Sequence, residues 1–386
     1  MEYKMVELGT LIKQAKTVRC GDGDYPVLSM TMHDGLVFQD DKFKKVIASQ
    51  DRSDYKVVYR NQLVISFPID EGVLAAQRIT DAGIVSPAYG IWDIDQSQIV
   101  PEFLEYALRC ERSISYYKAK LRGSTARRRS LPTPTLLAHT VPLPSLEEQA
   151  HILDVMHKAK AVADDRKLEL QKLDDLIKAR FVELFGTYPA NEKGWETGTI
   201  RDLVTEVRYG SSRKAADGDS GQYPYLRMNN ITYGGELDLT DTKTIDVPED
   251  ELPKCSVRRG DVLFNRTNSK ELVGKTCVYN RDEMMVLAGF VVRVRVNERI
   301  LPEVLSGFLN TDFSKQMLYG MCKAAIGQAN INAQELQNIG IYIPPMDLQK
   351  QFVEFKDQVD KSKVVVQEAL DKAQMLFDSL MQEYFG

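Results

Sequence analysis

Residues 139–149 read HTVPLPSLEEQ, and two hundred residues later 339–349 read IGIYIPPMDLQ. Each stretch runs from a short apolar, strand-like segment through proline into a long helical pattern. From Leu146 the chain continues without proline or glycine to Gly186, and the same happens from Met346 to Gly386. Read as heptads, the first stretch has one seam of Ile152, Ala159, Arg166, Leu173 and Arg180, and another of Met156, Ala163, Leu170, Ile177 and Leu184. Shifted by two hundred, the second has Phe352, Val359, Val366, Ala373 and Leu380, then Lys356, Lys363, Leu370, Phe377 and Tyr384. One clean apolar seam and one mixed seam in each is a coiled-coil pattern. Two such helices in one chain pair most economically with each other. Ile152, Met156, Leu170, Leu173 and Ile177 are the expected pairing residues on the first, and Phe352, Val359, Val366, Leu370 and Phe377 on the second. At ~1.5 Å per residue, each is a rod about 55–60 Å long, which suits a spacer.

The segments between the helices repeat as well. Tyr25-Pro26-Val27-Leu28-Ser29-Met30 matches Tyr223-Pro224-Tyr225-Leu226-Arg227-Met228. Gln62-Leu63-Val64-Ile65-Ser66 corresponds to Gly260-Asp261-Val262-Leu263-Phe264, and Pro101-Glu102-Phe103-Leu104 to Pro302-Glu303-Val304-Leu305, each of the last two with proline in a first helical turn. Both segments mix short β-type runs with turns and amphipathic helices. The expected fold is therefore α+β: globular domain 1–145, spacer helix 146–186, globular domain 187–345 and spacer helix 346–386. The helices pair antiparallel, and the order gives pseudo-twofold symmetry. A period of about 200 residues excludes a solenoid.

Composition narrows the function. The 386 residues are 43% hydrophobic and 27% charged, as in a soluble globular protein. No run of eighteen apolar residues predicts a membrane span, and MEYKMVELGTLIKQAK has no signal-peptide core, so a cytoplasmic location is expected. Five scattered cysteines make no CxxC, and four histidines make no HExxH. The net charge of −5 is concentrated in the helical stretches, −2 in 146–186 and −3 in 346–386, while the rest balances 38 bases against 38 acids. Local basic faces, which decide phosphate binding, are compatible with that balance.

Several loops carry the chemistry of nucleic-acid contact. Residues 116–131, YYKAKLRGSTARRRSL, hold Lys118, Lys120, Arg122, Arg127, Arg128 and Arg129 without an acid, and Ser124 and Thr125 add hydroxyls. Arginine forks fit phosphate oxygens and the guanine edge. A solvated basic loop is the plainer reading. KAAIGQANIN at 323–332 is the second-copy counterpart, with Lys323, Gln328 and Asn330; Asn and Gln can bond adenine bidentately, and Gly327 can also be a helix cap. Tyr209, Ser211, Ser212, Arg213 and Lys214 fall in an early loop of the second globule. Arg227, Asn229 and Asn230 follow one strand-like run, and Asn265, Arg266 and Asn268 another. These suit base-edge contacts and equally suit ordinary turns. Gly274-Lys275-Thr276 is not a phosphate loop, because Ser269 stands where its first glycine belongs and Cys277-Val278-Tyr279 continues as strand.

The order globule–helix–globule–helix resembles the specificity subunit of type I restriction-modification systems. So do the helix start Pro144-Ser145-Leu146-Glu147-Glu148-Gln149 and the segment Ala325-Ile326-Gly327-Gln328-Ala329-Asn330-Ile331-Asn332. The resemblance covers essentially the whole chain. Two departures stand out: Arg128-Arg129-Ser130 replaces Gln328-Ala329-Asn330 in the first copy, and Leu348 replaces a glutamate in Pro344-Pro345-Met346-Asp347-Leu348-Gln349. The resemblance implies a non-catalytic subunit that binds double-stranded DNA, each globule being a target recognition domain for half of a bipartite site. It implies two methyltransferase subunits, which methylate adenine N6 with S-adenosylmethionine, and restriction subunits using ATP and Mg, as partners; no cofactor is expected on this chain. The missing (Asn/Asp)-Pro-Pro-(Tyr/Phe) loop argues against a methyltransferase in its own right. A scaffold for protein partners, two globules on a coiled-coil strut, is the rival reading.

Overall fold

The computed structural model describes residues 3–32, 34–42, 51–121, 131–216, 218, 220–322 and 329–386. The chain divides into two compact units, Met1–Arg166 with Glu368–Gly386, and Lys167–Gln367. The two long helices are Leu146–Phe185 and Met346–Phe385. Among the described residues, no helix is long and apolar enough to cross a membrane.

In the first unit, strand Met5–Glu7 pairs antiparallel with Thr140–Pro142. An antiparallel sheet follows, ordered Ile12–Gln14, Gly90–Ile94, Leu63–Ile65, Leu74–Ala76. Side chains alternate across it. Leu63, Leu74, Ala76 and Trp92 join one cluster with Phe103, Leu104, Ala107 and Leu108 of helix Pro101–Arg109. Val64, Ala75 and Ile91 join another with Leu28, Leu36, Val58 and Val85. Val27 bridges Ile84 in parallel. The helical parts belonging to this unit pack on the first cluster: Ile152, Leu153 and Met156 from the first helix, and Phe377, Leu380, Met381, Tyr384 and Phe385 from the second. Phe385 is 1% exposed, and its ring packs at a tilt against Phe103, centroids 4.9 Å apart.

The second unit repeats this plan. Glu196–Thr199 pairs antiparallel with Gly340–Ile343. Its main sheet is ordered Val204–Tyr209, Val291–Val296, Val262–Asn265, Thr276–Val278. Val262, Phe264, Val292 and Val294 face a cluster that contains Val304, Leu305 and Phe308 of helix Pro302–Leu309, while Leu263, Cys277 and Val291 face a second sheet through Leu226 and Leu287. That sheet is ordered Lys243–Ile245, Tyr223–Leu226, Met285–Leu287, Ser256–Val257, and its central pair is parallel, Tyr225 opposite Val286. The matched sequence stretches thus fall on like structure: Val27 and Tyr225 both begin a parallel pairing, and Leu63–Ile65 and Val262–Asn265 are both inner strands.

Within this unit the long helices run antiparallel. Phe352 packs edge-to-face on Phe181 and Phe185, Arg180 lies over the Phe355 ring, and Lys363 meets Asp174, so partners on the first helix fall in number as the second helix rises. Phe181, Phe185 and Phe352 are all buried, each worth about 1.5–3 kcal/mol of hydrophobic stabilisation. Of the expected pairing residues, Ile152, Met156, Phe352, Val359 and Val366 are buried and Leu170, Leu173, Ile177, Leu370 and Phe377 half-buried. Outside the seams the helices expose charged residues together with apolar ones such as Val162, Leu168, Val364, Val365 and Met375.

The repeated prolines and glutamine now have a physical account. Gln149 is fully buried; its Oε1 accepts from Val100 N–H at 2.8 Å, and its Nε2 donates to Gln98 O at 3.0 Å and Pro144 O at 2.9 Å. Gln349 does the same with Leu301 N–H at 2.8 Å, Arg299 O at 3.0 Å and Pro344 O at 2.8 Å. One amide therefore satisfies the carbonyl of the proline before its own helix and the open start of the neighbouring short helix. The glutamate replaced in the second copy belongs to a capping box: Glu148 accepts from Ser145 N–H at 2.8 Å while Ser145 Oγ accepts from Glu148 N–H at 3.3 Å. Pro345 has no such side chain, and Leu348 instead packs on the core.

Candidate nucleic-acid interface

Sheet register decides where the polar loops of the second globule gather. Val204–Tyr209 and Val262–Asn265 both run antiparallel to Val291–Val296, with Tyr209 opposite Val292 and Asn265 opposite Val291. Both strands therefore end where the third begins. The segment after Asn265 forms the two-residue strand Thr267–Asn268, which pairs with Ala329–Asn330. Thr267 lies opposite Asn330, and Ile331 N–H donates to Arg266 O at 2.9 Å. Tyr209, Arg266, Asn268 and Asn330, drawn from three distant stretches of sequence, thus share one end of one sheet.

Arg266 is the centre of this group. Its guanidinium lies 4.8 Å from the centroid of the Tyr209 ring, and the Arg266 backbone N–H donates to Phe290 O at 3.0 Å. Tyr209 is 44% exposed, and its hydroxyl accepts from Ala333 N–H at 2.9 Å. An arginine held over an aromatic ring keeps its fork oriented, so less entropy is lost when it bonds a phosphate or guanine edge. Phe290, 49% exposed, stands beside them. Nothing in the local sequence marks it, since exposure here follows from the strand crossing. Nearby, Lys270 lies 4.2 Å from the centroid of the Tyr319 ring.

Beneath this surface lie buried polar side chains, Asn265 and Lys275 among them. Asn265 is fully buried, and neither its Oδ1 nor its Nδ2 has a hydrogen-bond partner among the described residues. Its N–H donates to Lys275 O at 2.8 Å, and Lys275 is 7% exposed, its pKa lowered by burial. Lys315 donates to Gly274 O at 2.8 Å; burial, with Lys178 and Lys275 nearby, pushes its pKa down to about 7. Gly274 at φ +80° makes the turn that returns the chain into strand Thr276–Val278, which is not a phosphate-loop geometry.

Other expected contact residues have structural partners. Asn230 is buried; its Oδ1 accepts from Arg227 N–H at 2.9 Å and its Nδ2 donates to Asp238 O at 2.8 Å, so it holds a turn. Ser211 is 8% exposed and accepts from Arg213 N–H at 3.2 Å. Arg213 forks onto Glu251 at 2.6 and 3.1 Å, and Arg227 pairs with Asp241 at 2.8 Å. The Arg213 pair is well exposed, and such a pair is worth about 0–1 kcal/mol, so a phosphate can displace the carboxylate cheaply. Ser212, Lys214 and Asn229 are exposed. In the first unit, Lys118 and Lys120 are exposed in the last turn of helix Glu111–Lys120, where their charge also complements the helix dipole. Arg122, Ser124, Thr125, Arg127, Arg128, Arg129, Lys323 and Gln328 lie outside the described residues.

The described residues contain no group of three or more His, Cys, Asp or Glu placed to hold a metal. What the folded chain presents is a recurrent α+β unit whose strand ends carry cations, amides and aromatics. Residues 192–372 match the family model of the type I restriction modification DNA specificity domain. That match makes residues 192–372, a little under half of the chain, a type I restriction modification DNA specificity domain.

Among its relatives, the type I restriction enzyme EcoKI specificity subunit of Escherichia coli (strain K12) is 22% identical over 264 residues, covering 64% of this chain and 56% of that protein. The type I restriction enzyme StySPI specificity subunit of Salmonella potsdam is 22% identical over 265 residues, with the same 64% and 56% coverage. The chain spans a little over half the length of these curated relatives. A solved structure concerned with complex assembly and conformational transition of the type I R-M system aligns over 99% of this chain and 97% of that one, with 17% identity and a TM-score of 0.55, a likeness of fold.

Proposed function

We propose that this chain is the non-catalytic, sequence-specific DNA-binding subunit of a cytoplasmic type I restriction-modification complex. Residues 1–145 and 187–345 are target recognition domains, each reading one half of a split site in double-stranded DNA. The helices 146–186 and 346–386 form an antiparallel coiled coil that spaces them, so that helix length sets the unread gap, much as dimer geometry sets half-site spacing. Two methyltransferase subunits, binding S-adenosylmethionine, methylate adenine N6; restriction subunits using ATP and Mg cut unmodified DNA. This chain supplies recognition: cations neutralise phosphates and set register, and amides, hydroxyls and arginines address base edges.

The observation that carries this reading is the gathering of Tyr209, Arg266, Asn268 and Asn330, with exposed Phe290, at one sheet end. The test is duplex binding by the assembled complex across a salt series. Binding should weaken steeply with salt, and Arg266→Ala should have one of two effects. Lost phosphate contact reduces the slope by about 0.9. Lost base contact leaves the slope, costs about 1–3 kcal/mol and relaxes preference at one position of one half-site. Salt-insensitive binding in the parent complex would favour a protein scaffold instead.

A further inference from the structure

Two lysines, Lys356 and Lys363, occupy seam positions of the second long helix. Burying an unpaired ammonium is costly, so a seam tolerates lysine only where its charge finds acceptors. Lys356 finds one within its own helix, Asp360 one turn on, at 2.5 Å. Lys363 reaches outside it. Its side chain is 11% exposed and ion-pairs with both Asp174 of the first long helix and Glu236 of the second globule. All three residues belong to the Lys167–Gln367 unit.

Both partners are stiffly mounted. Glu236 closes a tight turn: Thr232 N–H donates to Glu236 O at 2.9 Å and Glu236 N–H donates to Thr232 Oγ1 at 3.0 Å. At Gly235, φ is +88°, and a Cβ there would lie 2.5 Å from Asn310 Nδ2 and 2.9 Å from Thr276 O, so the turn is pressed onto the globule. Asp174 sits in mid-helix. The helices run antiparallel here, so a slip of one heptad would set Lys363 against Lys167 or Phe181, a like charge or an apolar ring. Slips of three or four residues would set it against Leu170, Gln171, Ile177 or Lys178. None offers a carboxylate. A polar residue satisfied in only one alignment is a known means of specifying register.

We infer that Lys363, Asp174 and Glu236 form a positioning node that locks both the stagger of the spacer helices and the seating of the second recognition domain on them, and thereby fixes one gap length. This rests on the split-site reading. Cells carrying the complete complex with Lys363→Ala are examined by sequencing of methylated adenines. The expected result is unchanged bases in both half-sites with relaxed spacing. Sites whose gap is one base pair longer or shorter should rise about tenfold as a fraction of all methylated sites, which corresponds to about 1.4 kcal/mol of lost discrimination. Asp174→Lys combined with Lys363→Asp retains an ion pair between the helices and should recover part of the single spacing; Lys363→Ala alone cannot. Should Lys363→Ala abolish methylation, Glu236→Ala, at a half-exposed surface turn, tests the node through the same measurement. A single wild-type gap in an active Lys363→Ala or Glu236→Ala complex would overturn the node. A wild-type complex that methylates no split site would instead overturn the split-site reading itself.

Discussion

Gln349 shows how much a single side chain can organise. Gln349→Ala strands Leu301 N–H and the carbonyls of Arg299 and Pro344 in a buried setting. Orphaned buried groups cost about 1–3 kcal/mol each before relaxation, so a loss of about 3 kcal/mol in urea unfolding is expected, with Gln149→Ala similar. A change below about 0.5 kcal/mol, the range of ordinary surface substitutions, would show that water replaces the amide. His139 gives a pH signature. Its ring is 3% exposed, bonds Ser113 Oγ at 2.7 Å, and burial, then the Arg112 charge, lowers its pKa to about 4. Between that value and an unfolded pKa of about 6.5, the unfolded chain binds a proton that the folded chain does not. Stability therefore falls as pH drops through this window, by up to about 3 kcal/mol. Unfolding of parent and His139→Asn chains between pH 6.5 and 5 checks this: the substitution should remove most of the parent's slope. The sequence could not distinguish these roles. A loop asparagine looks the same whether it holds a turn, as Asn230 does, or stands exposed, as Asn330 does, because the difference lies in partners brought by the fold.

At the scale of elements, helix packing outweighs propensity. Gly307 lies inside helix Pro302–Leu309, where alanine would ordinarily gain about 1 kcal/mol. A Cβ there would sit 2.9 Å from the Phe181 ring and 3.3 Å from Phe352. Overpacking costs about 1–3 kcal/mol, so Gly307→Ala should be net destabilising in urea unfolding despite its better propensity. A more stable variant would mean that the rings shift freely. The long helices themselves are legible in the sequence because period, proline and glycine agree: the patterns from Leu146 to Gly186 and Met346 to Gly386 match helices Leu146–Phe185 and Met346–Phe385. Phe181 and Phe185 escape the heptad pattern, because they lie off its seams and serve the globule and the other helix together. Lys363 of the mixed seam likewise makes sense only with Asp174 and Glu236, far off in sequence, alongside. Lengthening tests the spacer directly. Four residues inserted after Arg166 add ~6 Å of helix and, at ~3.4 Å per base pair, should widen the gap by one to two base pairs without altering either half-site. Two residues rotate the downstream face by roughly 200°, mismatch the seams and should destabilise the pairing instead.

For the whole molecule, the repeat is the central fact. One chain builds the same strand, short helices, buried glutamine and forty-residue helix twice, and each unit takes the start of one long helix and the end of the other. Phe185 and Phe385 are buried in different units, so the two Phe-Gly helix ends are anchors of like kind. Such a molecule can evolve its halves separately, provided that each half makes its own contacts. The direct test of two independent readers is an exchange of residues 1–140 for the equivalent domain of a type I specificity subunit, followed by sequencing of methylated adenines in cells that carry the proposed partner subunits. The account predicts that one half-site changes while the other half-site and the gap stay as they were. A change in both half-sites, or in neither, would contradict it.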